Sequence, residues 1–345
     1  MEVGVRWDHL RLVPDPAAAA APLIERRAVT RTFDTPGFRG MTFYEVHARS
    51  VINKVPAASR MPFQWTINPY RGCSHACVYC FARKSHEYLD LDAGADFDSR
   101  IVVKVNAAER VRAELAAPRW RGEHIAMGTN VDCYQRAEGR YRLMPGILEA
   151  LRDAGNPFSI LTKGSLILRD LPILREAAAR TQVGAAVSVG FVDEELWRLI
   201  EPGTPAPRKR LEVCAALNAA GVRCGVLMGP VLPYLSDSPA QLEAAVRRIA
   251  EAGAASVTVI PLHLRPGARE WFLGWLRRHR PELIVPYARL YGGGAYAPKR
   301  YRDGISARVR ELAAEYGMDR SPPPPAAHRS VRPPADEGPH QLTLL

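Results

Sequence analysis

The sequence lacks several features that would place it in common classes of protein. No apolar stretch approaches the roughly 20 residues that a membrane-spanning helix needs. The Ala-rich run at 17–21 is short and follows acidic residues and prolines, so it does not resemble a secretory signal. Six cysteines in 345 residues are too few for a disulfide scaffold. These absences predict a cytoplasmic protein with no membrane segment.

Acidic residues are also in short supply. The chain has 36 Asp and Glu against 47 Lys and Arg, which leaves a formal net charge of +11. An excess of this size favours a polyanionic partner such as nucleic acid. Solvated basic faces would give the same composition without such a partner, so charge alone leaves both interpretations open.

Composition divides the chain into four segments. Residues 1–57 carry many charges and little periodicity, which predicts an N-terminal extension. Residues 58–285 alternate short apolar runs with helical patterns and form the predicted core domain. Residues 286–320 hold a segment rich in Tyr, Gly and Arg, followed by a final helix. Residues 321–345 are rich in proline and predict a disordered tail.

Six apolar runs in the core domain alternate with predicted helices. Continuous apolar runs of this kind are typical of parallel strands that are buried on both faces. Six strand–helix units in series predict an α/β fold, and favour an open or closed barrel over a doubly wound sheet. Asn106 and Asp170 precede helical patterns and are predicted to cap them. The predicted barrel strands are residues 63–67, 124–128, 158–162, 183–189, 224–228 and 256–260, and a further apolar run occupies 101–105.

Three of the six cysteines form a compact motif. Cys73, Cys77 and Cys80 have the spacing CxxxCxxC directly after the first predicted barrel strand. Three thiolates in one loop can bind three irons of a 4Fe–4S cluster and leave the fourth iron open for a substrate or cofactor. The alternative is a structural zinc site with His75 or His86 as fourth ligand, although zinc sites more often use paired CxxC elements.

The cysteine motif resembles the signature of the radical S-adenosylmethionine (SAM) superfamily, in which an aromatic residue, here Tyr79, precedes the last cysteine. The segments 128–138, 161–165, 187–189 and 230–233 are similar in particular to the branch of spore photoproduct lyase, which repairs DNA photodamage. The resemblance covers residues 60–310 and implies a partial (β/α)6, TIM-like barrel. It also implies that a 4Fe–4S cluster, reduced by an external donor such as flavodoxin or ferredoxin, cleaves SAM to methionine and a 5′-deoxyadenosyl radical.

The resemblance further implies roles for polar residues at the carboxyl ends of the barrel strands. Each of these residues could instead be a helix cap or a solvent contact. Beside Tyr79, the implied cofactor-binding residues are Thr129, Asn130 and Asp132 for the SAM amino group, Ser188 for its ribose or carboxylate, and Lys163 and Arg208 for the carboxylate.

Cys133 lies beside this predicted SAM site, where close relatives in the branch often have proline. Photoproduct lyases use a cysteine as a hydrogen-atom donor in this part of the barrel, so the resemblance makes Cys133 a candidate catalytic residue. Cysteine is also among the most often buried residue types, so a structural role stays an alternative. Cys214 and Cys224 fall in a helical and a strand pattern and are predicted core residues.

A basic segment follows the predicted barrel. Residues 277–302 contain seven Arg or Lys and one Glu, interleaved with Tyr287, Tyr291, Tyr296 and Tyr301. Bases stack on aromatic rings while cations neutralise phosphates, so this mixture predicts a nucleic-acid groove. In the alternative, the tyrosines pack on the open side of the barrel and the arginines face water.

The last five residues carry a second indication of a DNA context. Gln341, Leu342, Leu344 and Leu345 resemble the short peptide by which bacterial repair proteins and polymerases dock on the DNA sliding clamp. A glutamine followed by spaced leucines can anchor in a small apolar pocket, and a disordered tail presents it well. The alternative is an amphipathic terminus that packs on the chain's own core.

Three functions are consistent with the sequence. The leading hypothesis is a radical SAM enzyme that acts on DNA, by photoproduct-lyase-like repair or by base modification. The second keeps the radical chemistry and assigns a protein, RNA or small-molecule substrate. The third is a non-catalytic, metal-stabilised nucleic-acid-binding protein, which predicts no cleavage of SAM.

Overall fold

A computed structural model describes residues 28–56 and 61–318, together with residues 10, 11 and 24. In this part of the chain the strands belong to two sheets. The strands are β1 (Leu10–Arg11), β2 (Val29–Thr32), β3 (Thr42–Ala48), β4 (Ile52–Lys54), β5 (Trp65–Ile67), β6 (Tyr70–Arg71), β7 (Arg100–Lys104), β8 (Ile125–Met127), β9 (Phe158–Thr162), β10 (Val183–Ser188), β11 (Cys224–Val231) and β12 (Val257–Pro261).

Helices follow most strands of the core domain. The α-helices are α1 (Ala95–Ser99), α2 (Ala107–Leu115), α3 (Arg136–Tyr141), α4 (Leu143–Asp153), α5 (Leu171–Ala178), α6 (Glu194–Ile200), α7 (Pro207–Ala219), α8 (Pro239–Glu251), α9 (Ala268–His279), α10 (Ile284–Tyr291) and α11 (Lys299–Glu315). Short 3-10 helices occupy Pro36–Phe38, Arg83–Leu89, Ser165–Asp170 and Pro281–Leu283. No helix of the described residues combines the length and hydropathy needed to cross a membrane.

The larger sheet is the predicted barrel. Its strand order is β12–β11–β10–β9–β8–β5–β4. Strands β5, β8, β9, β10, β11 and β12 pair in parallel, and their order across the sheet is their order along the chain. Strand β4 adds an antiparallel edge beside β5. Because parallel strands joined by helices direct all their carboxyl ends to one edge, the loops that carry chemistry meet there.

The smaller sheet connects the N-terminal region to the cysteines. Strand β3 pairs in parallel with β7 and antiparallel with β1 and β2, while β6 pairs antiparallel with β7. The apolar run at 101–105 therefore belongs to this sheet and not to the barrel. All four residues of β2 are exposed, so that strand has no apolar alternation to reveal it in the sequence. A single residue, Gly72, separates strand β6 from Cys73.

Two predicted helix caps serve other purposes. Asn106 precedes α2, but its side chain donates to the carbonyl of Ala48 and accepts from the Ala48 N–H, both at 2.9 Å. Asp170 precedes α5, but its carboxylate pairs with Arg169 and accepts from the hydroxyl of Tyr134. Both residues occupy the N-cap position, but neither side chain makes a capping hydrogen bond to its helix, since other partners hold it instead. The predicted cap positions were therefore right, whereas capping by the side chains does not occur.

The buried apolar residues form two cores. One is formed by the barrel strands, the helices packed against them, and strands β3 and β7 of the smaller sheet. The second joins the cysteine motif to the C-terminal helices, since Cys77 and Tyr79 pack in the same group as Leu262, Phe272 and Tyr287. The cysteines are thus anchored by the segment that follows the last barrel strand, and not by the barrel alone.

Candidate active site

The cysteine loop, residues 72–80, is tightly seated on the smaller sheet. Gly72 has a φ of +75°, a conformation that side-chain-bearing residues rarely adopt. A Cβ atom at Gly72 would lie 2.9 Å from both the Arg100 carbonyl oxygen and His86 Cε1. Glycine is therefore required where the chain leaves β6 and turns into the loop.

Hydrogen bonds fix the shape of this loop. The N–H of Ala76 donates to the Cys73 carbonyl, and the N–H of Cys80 donates to the Cys77 carbonyl, each at 3.2 Å. The buried Gln135 side chain accepts from the Ser74 N–H and donates to the Gly72 carbonyl, both at 2.9 Å. Gln135 thus links the loop to the segment that follows β8, a role that its position in the sequence does not reveal.

The side chain of Arg83 also holds the cysteine loop in place. It is fully buried, and its guanidinium donates to the Cys77 carbonyl at 2.9 Å and pairs with Asp98 at 2.8 Å. The same guanidinium lies 4.8 Å from the ring of Trp271. A buried arginine with a carboxylate partner and backbone acceptors holds its surroundings rigidly. The sequence did not reveal this role, because arginine is usually a surface residue.

The three cysteines of the loop line one open cavity. Burial raises the pKa of Cys73, Cys77 and Cys80 alike, so the thiols are neutral until a metal replaces their protons. The cavity is partly open to solvent, and its lining includes the apolar side chains of Val131, Leu161, Leu227 and Leu262.

The two histidines considered as zinc ligands have other partners. Nδ1 of His75 lies 3.3 Å from the carboxylate of Asp132. Nε2 of His86 lies 2.8 Å from the Arg100 carbonyl oxygen, and this histidine is not among the residues that line the cavity. Among the described residues, no three His, Cys, Asp or Glu side chains are grouped to hold one metal ion. In a 4Fe–4S cluster each cysteine binds a different iron, so this spacing does not conflict with a cluster.

Asp132 organises the part of the cavity wall that adjoins the cysteine loop. Its carboxylate accepts from the N–H groups of Tyr134 and Lys163 and from the Thr162 hydroxyl, at 2.6–2.8 Å, in addition to its contact with His75. Burial alone would raise the pKa of Asp132, but His75, the Lys163 N–H and the Thr162 hydroxyl together lower it to about 2. A carboxylate has about four acceptor sites, and these four partners occupy them. The role of Asp132 is therefore to hold the cavity wall in place. Thr129 and Asn130 line the cavity together with Asp132.

Lys163 reaches into the same cavity from the end of β9. Its Nζ lies 2.6 Å from Ser188 Oγ, 3.8 Å from the Glu201 carboxylate and 5.8 Å from the centre of the Tyr79 ring. Ser188 Oγ in turn donates to the Gly229 carbonyl at 2.9 Å. Tyr79 of the cysteine loop, Lys163 after β9 and Ser188 of β10 therefore lie close together, and the Lys163 amino group faces the cavity.

A buried ion pair lies behind Lys163. Arg210 is 1% exposed and donates to Glu201, also 1% exposed, and the Tyr79 hydroxyl donates to the same carboxylate. Burial would raise the pKa of Glu201, but Arg210 and Lys163 lower it, so the carboxylate stays ionised. The structure does not bring the predicted Arg208 to the cavity: its side chain is 68% exposed and pairs with Glu212 on the surface of α7.

Cys133 faces the core and is not among the residues that line the cavity. It is fully buried, and burial followed by the charges of Asp132 and Glu138 raises the pKa of its thiol. A hydrogen-atom donor has to reach a substrate, and nothing in this arrangement gives Cys133 access to one. The placement favours the structural alternative. Cys214 and Cys224 are also fully buried.

The tyrosines of the basic segment divide into two groups. Tyr287 and Tyr291 are buried, and their hydroxyls donate to the carbonyls of Pro233 and Leu262 at 2.8 Å. Tyr301 is half-buried and donates to Asp237. Only Tyr296 of the four is exposed, with 51% of its surface accessible. The prediction of a groove lined by four tyrosines was therefore wrong for the first two, which pack beside the barrel.

Gly203 provides a test of how the loop is held. Its N–H donates to the His75 carbonyl at 3.1 Å, and a Cβ atom there would overlap the carbonyl oxygen of Ser74. We expect Gly203→Ala to push the loop outward, to cost about 1–3 kcal/mol of stability and to lower the iron bound after reconstitution. Urea unfolding and iron analysis would measure both effects. Gly274→Ala is the control, since no atom lies within 4 Å of the position that a Cβ would take at Gly274; equal iron in both variants would contradict the prediction.

The comparisons with known proteins agree with this site. The sequence profile of the Radical SAM superfamily matches residues 67–244. An uncharacterized protein of Mycobacterium tuberculosis is 50% identical over 316 residues, which cover 91% of this chain and 93% of that protein. An uncharacterized protein of Methanocaldococcus jannaschii is 28% identical over 195 residues, or 56% of this chain and 69% of that protein. The chain belongs to the Radical SAM superfamily, which confirms the resemblance stated above.

Solved structures of spore photoproduct lyase have a similar fold. The lyase complexed with dinucleoside spore photoproduct superposes with a TM-score of 0.60 at 12% identity, over 79% of each chain. A mutant lyase with bound AdoMet and dinucleoside spore photoproduct gives a TM-score of 0.58 at 13% identity, over 75% of this chain and 76% of that chain. These likenesses confirm the predicted radical SAM barrel.

Membership of the superfamily makes this protein an enzyme, with a 4Fe–4S cluster and SAM as its cofactors. The residues present fit both groups. Three thiols converge on one cavity, which also receives the Lys163 amino group and the polar side chains of Thr129, Asn130 and Ser188. The thiolates would hold the cluster. The amino group of Lys163 complements a carboxylate, and the neutral polar groups can hydrogen-bond the remaining polar atoms of SAM.

Proposed function

We propose that this radical SAM enzyme acts on DNA, by photoproduct-lyase-like repair or by base modification. The observation that carries the proposal is the positive charge beside the opening of the cavity. The cavity opens where the exposed side chains of Phe81 and Ile260 line it. The guanidinium group of Arg265 lies 5.8 Å from the Phe81 ring. A cationic opening in a chain of net charge +11 suits a substrate with a phosphate backbone.

The family comparison supports the same substrate class. Spore photoproduct lyase, whose fold this chain shares, has been solved with a dinucleoside spore photoproduct bound. We extend that substrate type to this chain as part of the proposal. A protein, RNA or small-molecule substrate is the alternative within the same chemistry.

The chain's own residues would divide the work as follows. When bound, the cluster and SAM supply a carbon-centred radical able to abstract a hydrogen atom from a substrate carbon. The three thiolates would hold the cluster, while Lys163 and Ser188 would bind and orient SAM. Apolar side chains of Val131, Leu161, Leu227 and Leu262 line the space between and exclude water. An external electron donor such as flavodoxin or ferredoxin completes the proposal.

DNA should stimulate the enzyme if the proposal is correct. Protein reconstituted without oxygen is incubated with SAM and dithionite, and formation of 5′-deoxyadenosine is measured with ultraviolet-irradiated DNA, untreated DNA, RNA or no addition. We expect the largest rate with irradiated DNA, and binding that weakens as salt rises. Stimulation by RNA or a peptide alone would assign the alternative substrate, and DNA binding insensitive to salt would contradict the electrostatic basis of the proposal.

The C-terminal peptide makes a separate prediction. Gln341, Leu342, Leu344 and Leu345 lie outside the described residues, so the proposal of sliding-clamp binding rests on their sequence alone. Deleting residues 341–345 should abolish retention of the protein on immobilised bacterial sliding clamp and leave 5′-deoxyadenosine formation unchanged. Unaltered retention after the deletion would remove the proposal.

A further inference from the structure

Three aromatic rings lie side by side at the opening of the cavity. The ring of His263 lies 5.7 Å from Phe81 on one side and 5.7 Å from Tyr296 on the other, with interplanar angles of 39° and 28°. Phe81 and His263 line the cavity, while Phe81 and Tyr296 are 38% and 51% exposed. We call these three residues the aromatic rim. Exposed rings that adjoin one another form a contiguous patch, and such patches mark binding sites more often than scattered single rings do.

Two arginines accompany the aromatic rim. Arg265 lies against Phe81 and donates to the Tyr296 hydroxyl at 3.3 Å, so it spans the rim from end to end. The guanidinium of Arg302 lies 5.6 Å from the centre of the Tyr296 ring and donates to the Ala297 carbonyl at 3.0 Å. Neither arginine has a carboxylate partner among the described ion pairs, so both charges are available to an anion.

The chain holds the rim in place before any ligand arrives. His263 and Tyr296 form a β-bridge, and the Leu264 N–H donates to the Ala295 carbonyl at 2.7 Å. Arg269 donates to the carbonyls of Gly292 and Gly294 at 2.6 and 2.7 Å, which fixes the glycine-rich turn before Tyr296. A ring held this way loses little conformational entropy on binding, which is the property of a recognition surface.

We propose that the aromatic rim and its two arginines form a nucleotide-binding subsite that accepts an unpaired base. This inference rests on the proposed action on DNA and names the form of DNA that is bound. A base can lie against the exposed surface of Phe81 or Tyr296 only if its own face is free, and neighbouring bases cover both faces within a duplex. Arg265 and Arg302 pair with the flanking phosphates. The substrate is therefore single-stranded DNA or a nucleotide turned out of the helix.

Anisotropy of a labelled oligonucleotide tests the subsite. The reconstituted enzyme is titrated into a labelled single strand of about 16 nucleotides, and into the same sequence as a duplex. We expect tighter binding to the single strand. Tyr296→Leu should weaken that binding about tenfold, since stacking on one ring contributes a factor of this size. Tyr296→Phe keeps the ring and should bind within about threefold of the original protein.

Salt dependence separates stacking from charge. Arg265→Gln should lower the slope of log affinity against log salt by about 0.7, the value for one phosphate contact on a single strand, whereas Tyr296→Leu should leave that slope unchanged. Tyr316→Leu is the matched control, because Tyr316 is also exposed and lies at the end of α11. Thermal melting of each variant establishes that the chain is folded.

The outcomes distinguish the two proposals. Single-strand binding that is unaffected by Tyr296→Leu, or a duplex bound as tightly as the single strand, would overturn the subsite and leave action on DNA standing. If the aromatic rim only covers the apolar cavity, Tyr296→Leu would leave single-strand binding unaffected. If the unaltered enzyme bound neither form of DNA, both the subsite and the proposed function would fall.

Discussion

Cys77→Ala protein, reconstituted with iron and sulfide in the absence of oxygen, should form no detectable 5′-deoxyadenosine from SAM. Cys77 is one of three thiols that line the same cavity, and two thiolates cannot hold a cluster that is built for three protein ligands. We expect the visible absorbance of the cluster and the bound iron to fall together. Iron analysis, the absorbance spectrum and chromatography of the SAM products measure the effect.

Cys214→Ala is the control for this result. Cys214 is fully buried in α7, and its thiol lies 3.6 Å from the Cys224 carbonyl oxygen, so it belongs to the core and not to the cavity. This variant should bind iron and cleave SAM like the original protein. If the original protein bound only zinc, or if Cys77→Ala cleaved SAM at the original rate, the cysteine loop would not be the cluster site.

Arg210→Met should cost about 3–5 kcal/mol of stability, which is the second large effect that we expect. The substitution leaves the Glu201 carboxylate buried and without its closest cationic partner. Lys163, at 3.8 Å, is then its only remaining cation among the described ion pairs. Urea unfolding measures the loss of free energy, and SAM cleavage should fall as well because Lys163 is drawn away from the cavity.

Two further variants make this prediction specific. Glu201→Gln combined with Arg210→Met removes both charges and should recover a substantial part of the lost stability, because no buried charge is left unpaired. Arg208→Met breaks the exposed pair with Glu212 and should cost no more than about 1 kcal/mol. Equal costs for Arg208→Met and Arg210→Met would show that burial does not decide the role of these two arginines.

The same two arginines show where reading the sequence succeeded and where it did not. The family resemblance assigned a role to Arg208, whereas the helical period indicates Arg210, two residues further on. Arg210 shares one face of α7 with Val213, Cys214 and Leu217, which lie three, four and seven residues further on and are all buried. Arg208 shares its face with Glu212. Applying the 3.6-residue period would have selected the buried arginine.

The barrel was predictable because its strands are continuous apolar runs separated by helices. The six predicted barrel strands overlap β5, β8, β9, β10, β11 and β12. The smaller sheet was not predicted, since it pairs β3 with β7 across more than fifty residues of chain and its member β6 has only two residues. Short strands paired over long distances leave no periodic signal in the sequence.

The site was predictable to the extent that chemistry is local in sequence. Cys73, Cys77 and Cys80 share one loop, and the structure brings the predicted Tyr79 and Lys163 to the cavity that they line. Gln135, Arg83 and Glu201, which hold the cysteine loop in place, were not predicted. Nothing in the sequence shows which segment each of them contacts. Their partners become neighbours only when the fold is complete.

The position of the aromatic rim has a consequence for how such an enzyme can change. The superfamily profile ends at residue 244, whereas His263, Tyr296, Arg265 and Arg302 all lie beyond it. Under the proposed division of roles, every residue of the subsite except Phe81 comes from one segment that follows the part of the chain matched by the profile. Because Leu262, Phe272 and Tyr287 of the same segment pack with Cys77 and Tyr79, a change there that redirects the enzyme to another substrate has to preserve the contacts that hold the cysteine loop.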